Sequence, residues 1–480
     1  MAGIATHARD KPDALALIEP GAKRTFGELH ERQSALAGAF QQAGLQTGDR
    51  VAVLSANRIE SLEVTIGCLR GGIVPVAVNP LLTPPEIAYV LEDSGARWLF
   101  TDRAVETATV ETVVTFGDAY ERLLHGAAPA PVADHARGRP MHYTSGTTGT
   151  PKGVWVDPYG DKEAAQRSEA FRTLWEIGPD DVHLVCSPLA HSAPHRFALR
   201  TLESGGKVVL QTHFEAAETL AAIDLFSVTT TFMVPTHLAR IFALGEKALS
   251  RHDVSSMRML IHAGAPIREA TKRAAIAAFP PGSVWEFYGS TEGQATRIST
   301  QEWLAKPGSV GRALPGVDLI VLDDSGSVAE PGESGQIWIE DPGAERFRYW
   351  GDDEKTKATW QRGAFTVGDI GFLDADGYLF LTGRADDTII TGGVNVYPVE
   401  VEATLVEHPA VREALVYGAP HEEWGQQVRA LVVAQPEMPL DPELLRLWAR
   451  ERLAGFKCPR VIEIVAELPR TATGKLKRSS

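Results

Sequence analysis

The sequence predicts an α/β protein with a large N-terminal domain over residues 1–383, built of mixed and parallel sheets, helices and a β-rich subdomain, followed by a small α+β domain over 384–480. Three observations predict it. Short β-branched runs alternate with longer amphipathic stretches through the first part of the chain; from about Val317 they give way to short strands separated by turn signals; and after Gly383 a compact mixture of strand and helix patterns begins. At 480 residues the chain exceeds one core, since domains average about 150 residues. Its 44% hydrophobic and 23% charged residues are those of an ordinary globular protein.

Taken in order, Val51 to Leu54, Trp98 to Thr101, Val182 to Cys186, Lys207 to Leu210, Thr229 to Val234 and Arg258 to Ile261 read as buried strands. Ile59 to Arg70, Pro85 to Asp93 and Ala265 to Ala278 between them read as helices. Turn signals at Asp323-Asp324-Ser325-Gly326, Glu330-Pro331-Gly332 and Asp374-Ala375-Asp376-Gly377 mark the β-rich part. In the last part Val399 to Glu407 and Pro442 to Leu453 have helical spacing, while Val411 to Tyr417 and Val428 to Ala434 have that of strands.

Forty-seven basic against 62 acidic side chains leave a formal charge of −15, which disfavours nucleic acid and anionic lipid as partners. A polyanionic ligand therefore needs a local site. Cys68, Cys186 and Cys458 lie far apart and form neither a metal-type pair nor a disulfide framework. Met1 to Pro20 has no signal-peptide core, and the most apolar run, Gly71 to Leu82, is broken by Pro75, Asn79 and Pro80, so the expectation is a cytoplasmic protein without a membrane span.

The stretch Tyr143-Thr144-Ser145-Gly146-Thr147-Thr148-Gly149-Thr150-Pro151-Lys152-Gly153 carries the most chemistry. Its glycines let backbone approach a ligand closely, its hydroxyls donate without charge, and Lys152 adds a mobile cation; together they suit a polyphosphate. It is not a Walker loop, because Gly153 stands where that motif needs Ser or Thr after the lysine.

With this segment the chain resembles the adenylate-forming superfamily of acyl-CoA synthetases, peptide-synthetase adenylation domains and luciferases. The resemblance continues in order through Thr25-Phe26-Gly27-Glu28-Leu29, Ser187-Pro188-Leu189-Ala190-His191, His262-Ala263-Gly264-Ala265-Pro266 and Tyr288-Gly289-Ser290-Thr291-Glu292-Gly293. It ends with Val367-Gly368-Asp369, Gly383-Arg384-Ala385-Asp386-Asp387 and Pro469-Arg470-Thr471-Ala472-Thr473-Gly474-Lys475. Collinearity of short motifs, each weak alone, makes the assignment specific.

The resemblance implies ATP, Mg²⁺ and coenzyme A as co-substrates and cofactor, and an acyl-adenylate as intermediate. Thr144, Ser145, Gly146, Thr147, Thr148, Gly149 and Lys152 would hold the phosphates. Gly264, Ala265 and Pro266 would wall the adenine, with Glu286, Phe287, Tyr288, Gly289, Ser290 and Thr291 beside the nucleotide. Glu292 would hold the metal, a hard cation completing its shell with phosphate and water oxygens. Asp369 and Arg384 would reach the ribose, and Lys475 would bridge the acyl carboxylate and the α-phosphate. Thr144, Lys152, Glu292 and Lys475 are thus the expected catalytic set.

By the same resemblance the small domain turns about Asp386 after adenylation, bringing Gly392 and Gly393 to the thioester-forming site, while Phe456 and Lys457 meet the CoA phosphates. His191, Phe232, Met233, Ala263, Gly289 and Ser290 would line an acyl pocket with room for a bulky or extended hydrophobic acid. No basic residue in that set opposes a second carboxylate, which disfavours short dicarboxylates. Val367 replaces a threonine usual in the family, Glu286 an asparagine, and Thr388-Ile389-Ile390-Thr391 lacks the lysine some members carry after the hinge. No carrier segment with its modified serine follows Lys475 in the sequence, so CoA is the expected acceptor and a separate carrier protein the alternative; a homodimer is left open.

Overall fold

Hydrophobic runs too short for helices but rich in Val, Ile and Leu become the strands of two central sheets. The computed structural model describes residues 2–130, 139–144, 151–341, 346–391, 394–422, 424–470, 476 and 478. They form two compact units, Met1–Ala305 with Gly343–Ala358, and Lys306–Pro342 with Thr359–Ser480.

In the first unit one sheet runs in the order Gln294–Ile298, Val284–Gly289, Met259–His262, Thr230–Met233, Val182–Val185, Lys207–Leu210, Leu15–Glu19, Ala22–Thr25. Its inner pairs are parallel and the strands at either end of this order antiparallel. The other runs Arg348–Tyr349, Lys152–Trp155, Met141–Thr144, Val74–Val78, Arg50–Leu54, Trp98–Thr101, Thr112–Thr115. Helices Phe26–Gln42 and Ile59–Arg70 lie between the two sheets, giving Leu29 and Leu62 to a core shared with Val185 and Val208, and Leu36 and Val64 to one shared with Val53 and Phe100. A helix covered on both sides cannot be amphipathic, and Ile59–Arg70 is buried almost all round. Close approach of the two helices requires Gly67, where a Cβ would stand 2.7 Å from that of Leu36. Thr25 and Glu28 cap the longer helix reciprocally, at 2.8 and 3.2 Å.

The second unit begins with the predicted β-rich part, an antiparallel sheet ordered Trp360–Gln361, Ala364–Phe365, Gly335–Glu340, Asp369–Leu373, Leu379–Arg384, with Asp318–Leu322 also paired to Gly335–Glu340. It continues into a sheet ordered Val394–Val396, Ile389–Thr391, Gly425–Ala434, Val411–His421, with Val461–Ile464 parallel to Gly425–Ala434. Helices Pro398–Val406 and Pro442–Arg450 complete its core through Val401, Leu405 and Leu445. The boundary expected at 383/384 falls inside this unit, because Pro398–Val406 neighbours the strand Leu379–Arg384 and Tyr397 lies against Gly383. The helix expected from Ala265 starts at Glu269, since Gly264 takes φ +88° and Pro266 prolongs the turn.

Candidate active site

Ser187 to His191, Val234, Ala263 to Pro266 and Ser290 to Glu292 follow neighbouring parallel strands and emerge at their carboxyl ends. The chain leaves Val182–Val185 for Lys207–Leu210 on one side and returns as Thr230–Met233 on the other, so this edge is a topological switch point, where open α/β sheets form their crevice. His191 is the N-cap of helix Ser192–Ser204, and Ser192 Oγ lies 3.5 Å from Thr291 Oγ1, joining two of these loops.

Strand alternation sorts the residues that follow. Glu286 and Tyr288 share one face of Val284–Gly289, and two residues beyond the pair His262 and Glu286 come Gly264 and Tyr288, which brings the expected adenine wall beside the expected tyrosine. Glu286 itself is turned into the core, where its carboxylate contacts Lys272 of the helix Glu269–Ala278, with His262 Nε2 at 3.8 Å. Burial raises the Glu286 carboxyl and lowers the Lys272 ammonium from their ordinary values, the pairing opposing both shifts. Glu286, expected beside the nucleotide, thus commits its side chain to Lys272. Phe287, also expected beside the nucleotide, falls on the other face with Phe232 and Ala263. Met233, expected in the acyl pocket, is next to Phe232 in the strand and packs on the opposite face, in the core around Leu184 and Leu260.

Beyond Tyr288 a bulge admits Gly289, where a Cβ would meet Gly293 O at 2.7 Å. Two buried polar atoms here, Ser290 Oγ and Gln294 Nε2, have no hydrogen-bond partner among the described residues. Glu292 is buried, and Oε1 accepts a 2.8 Å hydrogen bond from the Tyr349 hydroxyl.

Thr144 and Lys152 face each other across the antiparallel pair Met141–Thr144 and Lys152–Trp155. Ser145, Gly146, Thr147, Thr148, Gly149 and Thr150 between them lie outside the described residues. Lys152 Nζ stands 3.1 Å from Asp352, which raises the ammonium above its ordinary value; the Lys355 backbone N–H and then Lys152 hold the Asp352 carboxyl low. The short segment Arg348–Asp352 therefore does three things at once. It adds a strand beside Lys152–Trp155, gives Tyr349 to Glu292 and gives Asp352 to Lys152. Neither Tyr349 nor Asp352 was marked by the sequence, and no local signal could mark them, because their partners lie 57 and 200 positions away.

Behind Thr144, His142 Nε2 and His195 Nδ1 lie 3.3 Å apart, both rings buried. Burial lowers both, His195 to about 4, so the pair is neutral near pH 7.

In the second unit Asp369 and Arg384 are cross-strand partners, Arg384 Nε donating to Asp369 at 2.9 Å. Asp386 is exposed in the 3₁₀ turn Ala385–Asp387. Phe456 is exposed, whereas both Glu400 oxygens accept from Lys457 Nζ, at 2.6 and 2.8 Å. Gly392, Gly393 and Lys475 lie outside the described residues. Arg478, which in sequence could belong to a solvated tail, is instead held by Glu402 and by Asp387 at 3.2 Å.

Glu292 fits a hard divalent cation as a single carboxylate ligand: its second oxygen is not used by Tyr349, and among the described residues no cluster of three metal-binding side chains offers an all-protein cage. Such an ion would neutralise phosphate charge.

Loops gathered at one switch point, a buried carboxylate at Glu292 and the Thr144–Lys152 strand pair make up the candidate site. The chain belongs to the AMP-binding enzyme family, whose model matches residues 4–347, with the AMP-binding enzyme C-terminal domain matching 400–475; it is an acid–thiol ligase of the adenylate-forming superfamily. It is 36% identical to a 2-succinylbenzoate–CoA ligase of Geobacillus kaustophilus, covering 97% of this chain and 94% of the relative. To a fatty acid–[acyl-carrier-protein] ligase of Streptomyces coeruleorubidus it is 33% identical, covering 98% and 93%. The o-succinylbenzoate CoA synthetase of Bacillus subtilis in complex with its acyl-adenylate superposes with TM-score 0.87 at 30% identity, covering 99% of this chain and 96% of that one. No helix among the described residues is long and apolar enough to cross a membrane.

Proposed function

We propose that the protein activates a hydrophobic carboxylic acid with ATP and Mg²⁺ and transfers the acyl group to the thiol of coenzyme A. In the first step a carboxylate oxygen attacks the α-phosphorus in line, forming the acyl-adenylate as pyrophosphate leaves. In the second the thiol sulfur, giving up its proton, attacks the acyl carbonyl; the C–S bond forms, the bond to the phosphate oxygen breaks, and AMP leaves. Catalysis of this kind is mostly positioning and neutralisation of anionic charge.

The observation that carries the reading is the segment Arg348–Asp352, which ties the cation of the phosphate hairpin and the buried carboxylate Glu292 to one short piece of chain. Lys475 is assigned to the carboxylate and α-phosphate, Asp369 and Arg384 to the ribose. Residues 384–480 are assigned a turn about Asp386 that exchanges Lys475 for the Gly392 and Gly393 loop. A carrier-borne thiol is the second reading, favoured by the 33% identity to an acyl-carrier-protein ligase.

Pyrophosphate release across a panel of acids tests the first step, and thioester formation with free CoA against a holo-carrier protein tests the second. Release with none of the acids would end the proposal; thioester with the carrier alone would replace CoA as acceptor.

A further inference from the structure

The strand face that carries Phe232, Ala263 and Phe287 is covered by helices Asp161–Leu174 and Ser192–Ser204, and what lies between sheet and helices decides how deep an acid can enter. At the carboxyl edge the residues are small: Ala193, Ala263 and Gly289, the last unable to accept a side chain. Beside and below them pack four aromatic rings, Phe287 in the row of Ala263 and Phe232 in the row of Ile261. Trp175, at the C-cap of the first helix, meets Phe197 at 5.5 Å between ring centroids; Phe197 meets Phe232 at 6.2 Å; Phe232 meets Phe287 at 6.0 Å; and Phe287 returns to Trp175 at 5.8 Å. These four contacts close a circuit.

Rings whose centroids stand about 4.5–7 Å apart are in direct contact. A methylene chain needs about 3.5–4 Å to carbon on either side, so none can thread the circuit unless a ring leaves. Trp175 is fully buried and Phe197 nearly so, and they come from two different elements, Phe197 from the second covering helix, so moving either disturbs the packing of that cover. The small residues at the edge adjoin these rings, which bound how far a group entering from the strand ends can reach.

We infer that the acyl site is a shallow well floored by this aromatic circuit, that it takes a compact single-ring carboxylic acid rather than a long alkyl one, and that Trp175 and Phe197 set its depth. The inference rests on the proposed acid activation at the strand ends and narrows the wider range of acids expected from the sequence.

The test is kcat/KM for pyrophosphate release with benzoate, 3-phenylpropenoate, hexanoate, decanoate and hexadecanoate. The expected result is a preference of about 100-fold or more for the ring acids over hexadecanoate, in keeping with discrimination of up to about 200-fold per misfitting methylene. Phe197→Ala should raise decanoate at least tenfold relative to benzoate; Phe287→Leu, at the more accessible rim, is the second variant should the first not fold. Hexadecanoate used as well as benzoate by the unaltered protein, or an unchanged decanoate-to-benzoate ratio in a folded variant, overturns the inference. Absence of release with every acid, from folded protein, instead removes the activation reading beneath it.

Discussion

Glu292 and Asp369 are both lone carboxylates beside strands, yet the protein holds them in opposite ways. Glu292 is buried in the first unit, hydrogen-bonded by Tyr349 and close in the chain to the unpartnered Ser290 Oγ and Gln294 Nε2. Asp369, in the second unit, is bound to an Arg384 side chain that is 44% exposed. A desolvated carboxylate acts in a low-dielectric setting and is oriented before a ligand arrives, whereas an exposed pair is screened and can exchange partners with water or a hydroxyl. On the proposed function, the first arrangement would suit a group facing charge that develops in the reaction, the second one that meets a sugar through its partly exposed arginine.

If that contrast is right, substitutions should rank by burial and by the charge they meet. The largest effect is expected for Lys475→Ala, which should abolish pyrophosphate release while leaving thioester formation from supplied acyl-adenylate largely intact. Asp386→Pro should do the reverse by stiffening the turn. Normal adenylation by Lys475→Ala, or normal thioester formation by Asp386→Pro, sinks the two-step division of labour.

Next comes Glu292→Gln, expected to lower pyrophosphate release by about 10²–10³, with Tyr349→Phe costing about tenfold because a hydrogen bond to a charged group is lost. Equal effects of the two, read from single-turnover rates, would mean that the tyrosine does more than orient the acid. Arg384→Ala should raise KM for ATP only a few-fold with kcat nearly unchanged, as for an exposed pair. A large fall in kcat would place Arg384 with Glu292 rather than with Asp369.

The last prediction concerns stability rather than rate. His183 and His195 are lowered by burial to about 4 and His237 to about 3, so each is neutral in the fold but binds a proton in the unfolded chain below about pH 6.5. Their contribution is therefore fully present above about 6.5 and is lost as pH falls toward 4, by roughly 1.4 kcal/mol per pH unit for each fully neutral histidine. Urea denaturation between pH 7 and 4.5 should show this slope, and His195→Asn should flatten it. A slope unchanged in that variant would assign the acid sensitivity to other groups.

Much of the fold was legible in the sequence. Ile59–Arg70, Trp98–Thr101 and Lys207–Leu210 begin and end where periodicity and turn residues place them, because each is a run whose apolar pattern admits one regular structure. The order of the loop motifs was legible as well, since each is a short run of neighbouring residues read directly from the chain. Which way a strand residue faces was not. Adjacent strand residues lie on opposite faces, so Met233 and Phe232 belong to different core clusters, and Glu286 turned to Lys272 while Phe287 joined the aromatic circuit.

By itself, then, the sequence determined that the chain is α/β, where its strands break into loops, and to which family its ordered loop motifs belong. Tertiary structure alone decided that Tyr349 meets Glu292, that Asp352 meets Lys152 and that Trp175 closes a ring with Phe197, Phe232 and Phe287. The physical reason is range. Propensity and periodicity act over a few residues, while these contacts join distant segments and exist only once sheet pairing and helix packing have brought them together.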